Sequence, residues 1–262
     1  MLQPKLQFVN RSQAVKETGL SYIGGVSLSQ KMVKSEKKNI LTYIIYLSPA
    51  NKSGYNVCPK ASADCIAACL NTSGRVKLDT KNIIENARIK KTKMFFENRD
   101  FFMGWLYAEI SAHKKQAELK GMGFAVRLNG TSDIEPTLFK YEGKTLFEHF
   151  PNVNFYDYTK VANRFKLTEK YPNYDLTFSY SGENWLECEV ALANNVRIAV
   201  VFEKGLPKTY KGIPVINADL TDLRYLDEKN VICGLTFKKI KGNPNLSESK
   251  FIIKSNDKDC VF

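Results

Sequence analysis

Two histidines, His113 and His149, are all that 262 residues contain. Neither has a partner at ligand spacing, so a zinc site of mixed cysteine and histidine donors is short of ligands. A Ser-His-Asp triad cannot be argued from so few imidazoles either, and both histidines read as residues covering helix surfaces. No run approaches the roughly 18 apolar residues of a membrane span. The opening segment, MLQPKLQFVNRSQAVKETG, has no apolar stretch ahead of a small-residue cleavage site, so no secretory signal is expected and the expected location is the cytoplasm. There is no Walker-type glycine loop. Linkers rich in Gly, Pro or Ser and internal repeats are missing as well, so one domain is the economical expectation.

What is present belongs to an ordinary globular protein. Hydrophobic residues make up 44% and charged residues 25%, and 16 Phe with 13 Tyr supply ample core material. Lys and Arg total 39 against 27 acids, a formal net charge of +12. That excess attracts polyanions, which makes DNA or RNA a candidate partner. The competing reading is solubility, because the lysines are scattered: Lys34, Lys37 and Lys38, then Lys90, Lys91 and Lys93, then Lys238, Lys239 and Lys241.

Apolar patterning predicts an N-terminal arm over 1–38 with short ordered pieces, followed by one α/β domain over 39–262. Residues 40–48, ILTYIIYLS, form a β-branched and aromatic run ahead of Pro49, the signature of a buried strand. A cysteine-bearing loop occupies 51–74. A helix is expected over 80–97, with Ile83, Ile84, Ala87, Met94 and Phe95 inward and Lys90, Lys91 and Lys93 on the other side. A second, over 100–120, buries Phe101, Phe102, Trp105, Leu106 and Ala108 and stops at Gly121. Shorter apolar runs follow at 124–128, 153–156, 176–180, 196–202, 215–216 and 231–237, with a helix over 185–193. Such alternation argues for a mainly parallel sheet, either open or curled into a partial (β/α) barrel.

The cysteines carry the chemistry. Six thiols in a reducing compartment point to metal binding or burial rather than disulfides. Three of them, Cys58, Cys65 and Cys69, stand in the pattern C-x6-C-x3-C directly after the first long strand, where sites collect on α/β folds. If Cys65 and Cys69 begin a helix they lie one turn apart on one face, and the loop lets Cys58 fold back toward them. Cys188, Cys233 and Cys260 are remote in sequence as fourth ligands. Three cysteines with an open position suit a 4Fe–4S cluster whose fourth iron binds substrate or cofactor. The opposing reading is a set of buried thiols acting as small hydrophobes.

Each apolar run is also followed by polar groups, at the strand ends where α/β sites form. These are Asn129, Gly130, Ser132 and Asp133, then Asp157, Thr159 and Lys160, then Ser179, Ser181 and Gly182. Glu203 follows, and then Asp219, Asp222 and Arg224. The same residue types are ordinary turn formers and helix caps.

The segment NVCPKASADCIAACLNTSGR, together with VRLNGTSDI, FYDYTKVANR, TFSYSG, VVFEKG and DLTDLRYLD, resembles the phage "gene product 88" domain family. The likeness runs in one order over about residues 30–255. The cysteine loop is also similar to those of phage radical S-adenosylmethionine (SAM)-like proteins. Radical SAM enzymes are partial α/β barrels with a 4Fe–4S cluster on three cysteines after the first strand, and SAM on the fourth iron. The spacing departs from their usual x3 and x2, and Ala68 stands where an aromatic residue is usual. That resemblance implies that residues 130–133 meet the SAM amino group and that Ser179 and Ser181 meet its ribose. The leading expectation is an iron–sulfur enzyme of radical SAM type acting on a nucleotide, nucleic acid or peptide, in the host cytoplasm if phage-encoded. The alternatives are a basic nucleic-acid-binding protein with a structural metal or iron–sulfur site, and a metal-free binding protein.

Overall fold

The computed structural model of the protein describes residues 9–69, 76, 78–238, 246 and 248–262. In chain order its elements begin with α1 (Arg11–Thr18), β1 (Gly24–Gly25), α2 (Gln30–Glu36) and β2 (Ile40–Ile45). They continue with α3 (Ala63–Ala67), α4 (Ile83–Glu97), α5 (Arg99–Leu119) and β3 (Gly123–Arg127). A hairpin of β4 (Lys140–Tyr141) and β5 (Lys144–Thr145) leads into α6 (Leu146–His149) and β6 (Asn154–Thr159). Then come α7 (Phe165–Lys170), β7 (Tyr174–Ser179), α8 (Trp185–Ala193), β8 (Arg197–Phe202), β9 (Thr209–Tyr210) and β10 (Ile213–Asn217). The last are β11 (Ile232–Thr236), β12 (Ile252–Ile253) and β13 (Cys260–Val261). The chain divides into two compact units, Met1–Cys58 with Asn82–Phe155, and Pro59–Lys81 with Tyr156–Phe262.

In the first unit β2 pairs parallel with β3, β3 pairs parallel with the start of β6, and β1 runs antiparallel along β2. Every residue of β2 except Ile40 is buried. Burial on both faces is what a parallel interior strand requires, and it explains the continuous apolar run. Helix α5 packs on α4, β2 and β3. Phe95, Phe102, Trp105, Leu106 and Ile110 are buried between them, with Phe95 edge-on to Phe102 at 5.2 Å. Each such side chain contributes about 1.5–3 kcal/mol by leaving water. Residues 9–38 supply α1, β1 and α2, with Val9, Ala14, Ile23 and Met32 buried.

Two expectations for α4 are overturned: Ile83, expected inward, is 65% exposed, and a lysine expected outward is buried. Lys91, placed by the sequence on the solvent side, is 6% exposed. Its ammonium lies 4.3 Å from the centre of the Tyr22 ring. Residues 87, 91, 94 and 95 fall on one helical stripe, so Lys91 shares the inward face of Met94 and Phe95. Burial lowers its pKa to about 8, with Glu109 opposing and Arg88 assisting. The Glu109 carboxylate accepts hydrogen bonds from the Ile23 and Gly24 amides at 3.1 Å and from the Tyr43 hydroxyl. This cluster holds β1 against β2.

In the second unit β7, β8, β11 and β10 lie side by side and parallel, and β6 neighbours β7. β7 pairs with β8 at Arg197, Ile198 and Ala199, and β12 takes over at Val201 and Phe202. The antiparallel edge is β9, which joins β10 by a tight turn and pairs on its other side with β13. Lys211 and Gly212 occupy that turn at φ 49° and 74°, the backbone of a twisted two-residue hairpin. The fold is therefore mixed α/β with mainly parallel sheet and antiparallel edges. No strand pairing among the described residues closes a barrel.

Candidate functional site

Cys58 ends the loop that leaves β2 in the first unit. Within this loop Ala50 is buried in the left-handed region at φ 50°. Its amide donates to Cys58 Sγ at 3.4 Å, and the Val57 amide donates back to the Ala50 carbonyl at 3.0 Å. An amide aimed at sulfur favours the thiolate and is one of the levers that tune metal–thiolate centres. The loop after β3 is laced onto the same turn. The Asp133 amide donates to the Val57 carbonyl at 2.7 Å, and the Cys58 thiol lies 4.0 Å from the Thr131 carbonyl.

The residues of that second loop divide by role. The Asn129 side chain accepts from Ser132 Oγ at 2.8 Å and from the Ile134 amide at 2.9 Å, and donates to the Ile134 carbonyl at 3.1 Å. Asn129 thus shapes the turn. Gly130 has no room for a side chain, since a Cβ there would sit 2.5 Å from the Ile45 carbonyl oxygen. Asp133 and Ser132 are each 9% exposed. This places a buried carboxylate in the loop stitched to the Cys58 turn.

Cys65 and Cys69 belong to the second unit. Ser62 caps α3, accepting from the Cys65 amide at 3.2 Å, and its hydroxyl donates to the Ser181 carbonyl at 3.2 Å. Asp64 accepts from the Lys250 amide at 2.9 Å. The Ser181 amide donates to Asn184 Oδ1 at 2.7 Å, and Asn184 Nδ2 donates to the Ser179 carbonyl at 3.1 Å. Thus α3 is tied to the loop that leaves the carboxyl end of β7, where Ser179 and Ser181 stand. Cys65 lies within α3, Cys69 just beyond it, and both are half-buried. Sequence reasoning named the cysteines and serines but missed Ser62, Asp64, Asn184 and Lys250. For Ser62 the signal was available, a serine followed by an acid just before an apolar turn. For Lys250 no local signal exists.

None of the six cysteines is joined in a disulfide. Cys188 and Cys233 are fully buried. Burial pushes the Cys188 thiol up to about 12 and raises that of Cys233 as well, the setting of inert thiols in a core. Among the described residues, no three His, Cys, Asp or Glu side chains stand together as a group able to hold a metal ion. His149 bonds the Tyr141 carbonyl at 2.7 Å and His113 bonds Gln116 at 3.0 Å, both structural placements. Of the other polar strand ends, Asp219 accepts from the Thr236 amide at 2.8 Å and lies 3.5 Å from Lys238. Arg224 is buried against Asp227 at 3.0 Å. With Lys91 buried and Lys238 beside an acid, two of the lysines in the expected basic clusters are engaged internally. Lys239 and Lys241 lie outside the described residues.

No helix among the described residues is long and apolar enough to cross a membrane. A sequence model of the family described as Gene product 88 matches residues 24–255. No curated protein and no solved structure matches the chain.

Proposed function

The chain belongs to the Gene product 88 family, and we propose that its cysteine segment carries an iron–sulfur cluster on Cys58, Cys65 and Cys69. The observation that supports this most is the anchoring of α3: Ser62 and Asp64 fasten the element bearing Cys65 to a strand-end loop, and Cys69 follows directly. The amide of Ala50 on Cys58 Sγ adds a thiolate-favouring contact at the third donor. Thiolates are the donors such clusters take, and three of them leave one iron without a protein ligand. The donors match in kind, and no three such side chains among the described residues form a metal-holding group. Under this proposal cluster insertion therefore draws the twelve-residue segment around the metal, as ligation and local folding are coupled.

The finer reading is an enzyme of radical SAM type, acting on a nucleotide, nucleic acid or peptide. When bound, the cluster supplies one-electron chemistry. The chain's own part is to hold the small molecule: Asp133 bonds its amino group, and Ser179 or Ser181 its ribose. An ammonium on a carboxylate is a charge-assisted hydrogen bond worth about 1.5–3 kcal/mol.

The test is iron and sulfide content after anaerobic purification, followed by incubation with dithionite and SAM. The expected result is about four iron and four sulfide per chain, lost in Cys65→Ala, with 5′-deoxyadenosine formed by the wild type alone. A loaded cluster that forms no product leaves the iron–sulfur reading and sinks the enzyme. Zinc at about one per chain without sulfide replaces the cluster by a structural metal, and protein without any metal sinks the whole reading.

A further inference from the structure

The second unit contains a knot that the cluster proposal does not by itself require. Three pieces of chain meet in it: α3, the turn after β7, and the backbone at Lys250. Asp64 accepts from the Lys250 amide at 2.9 Å, and Ser62 donates to the Ser181 carbonyl at 3.2 Å. Gly182 directly follows Ser181 and lies against the Lys250 backbone. Its φ is +95°, and a Cβ on it would fall 2.6 Å from the Lys250 carbonyl carbon and 2.8 Å from its oxygen. No side chain can be accommodated there unless the Lys250 backbone gives way, since the atoms it would strike are main chain. Ser249, the next residue back, is 8% exposed, so the segment does not hang loose at this point.

We infer that Asp64 is a positioning residue for the cysteine helix, and that Gly182 sets the close approach that lets Lys250 reach it. The inference rests on the proposed ligand role of Cys65 and Cys69 for its purpose, and on the hydrogen bonds alone for its mechanism. α3 has only five residues, too few to hold a helical conformation from its own backbone bonds. What keeps its two thiols in a fixed place is therefore its attachments: Ser62 at one corner, and Asp64 at the other. Asp64 is adjacent to Cys65 and points to a strand of chain 186 residues away in sequence. Such a contact is formed only in the folded second unit, so the cysteines are presented only when β7, β8 and β12 have assembled.

The experiment is alkylation by iodoacetamide on the full chain purified without iron, with peptide mass spectrometry reporting each cysteine separately. Asp64→Ala is expected to speed labelling of Cys65 and Cys69 about two- to five-fold, the effect of losing one partly exposed hydrogen bond. Asp64→Asn keeps an acceptor oxygen and is expected to stay near the wild-type rate. Gly182→Ala, which strains both the Lys250 backbone and the Ser181 carbonyl bonded by Ser62, is expected to speed labelling of Cys65 and Cys69 at least as much as Asp64→Ala. Buried Cys188 and Cys233 report general loosening and should not change. Wild-type labelling in Asp64→Ala overturns the inference. So does an equal rise at Cys188 and Cys233, which makes Asp64 a residue of overall stability only. In iron-loaded protein, Asp64→Ala should also alter the cluster's electron paramagnetic resonance spectrum. If wild-type protein takes up no iron, the cluster proposal falls, while the labelling result stands on its own.

Discussion

Replacing Lys91 by methionine and following stability from pH 7 to 10 tests the buried cluster that fastens β1. The wild-type ammonium is penalised because burial lowers its pKa from 10.5 to about 8. Between these two values the unfolded chain binds a proton that the folded chain has shed, so stability rises with pH across this window. Below 8 the penalty is complete, at roughly 3 kcal/mol when each tenfold in proton affinity is worth about 1.4 kcal/mol. By pH 10 most of it has gone, leaving roughly 1 kcal/mol. Other groups act in the opposite direction. Cys188, Cys233 and Tyr43 have values raised by burial, so the stability they contribute is lost as pH climbs through and beyond their ordinary range. All three remain in the variant, and so the useful quantity is the difference between the two proteins. Methionine matches lysine in length and needs no partner. The stability of wild type relative to Lys91→Met should therefore rise by about 2–3 kcal/mol from pH 7 to pH 10, measured by urea unfolding at each pH. A difference that stays level to within about 0.5 kcal/mol across that range refutes the burial argument.

Other outcomes follow from single contacts. Gly24→Ala places a Cβ 2.5 Å from the Tyr43 ring, and is expected to lower stability by about 1–3 kcal/mol in thermal unfolding, since Tyr43 is itself fully buried. Asp175→Ala leaves Arg197, 0% exposed and paired with it at 2.9 Å, without its carboxylate; a loss of about 3–5 kcal/mol in urea unfolding is expected. Under the proposed function, Asp133→Asn should weaken SAM binding roughly 10- to 150-fold while iron content stays unchanged, as read by calorimetry on loaded protein.

Much of the architecture could be read from local pattern. The runs at 40–48, 124–128, 176–180, 196–202 and 231–237 became β2, β3, β7, β8 and β11, and the periodic stretches became α4, α5 and α8. They were legible because a strand buried on both faces must be apolar throughout, and a packed helix must repeat near 3.6 residues. The order of cysteines and polar strand ends was readable for the same reason: both sit where apolar runs stop. Other features have no local cause. β1 is two glycines, and it is a strand because it pairs with β2 and because Glu109, about 85 residues further on, accepts the amides of Ile23 and Gly24. β12 is two isoleucines whose place is set by the vacancy beside β8 where β7 ends. Lys91 looks like any surface lysine in a list of residues, and its depth is decided by the stripe it shares with Met94 and Phe95 and by a carboxylate on another helix. Cys65 could be picked out as a candidate ligand from spacing. The bonds that hold its helix, through Ser181 and Lys250, join residues more than a hundred positions apart. Periodicity and composition act over a few turns of chain, and contacts at that separation exist only once the sheet has brought their partners together.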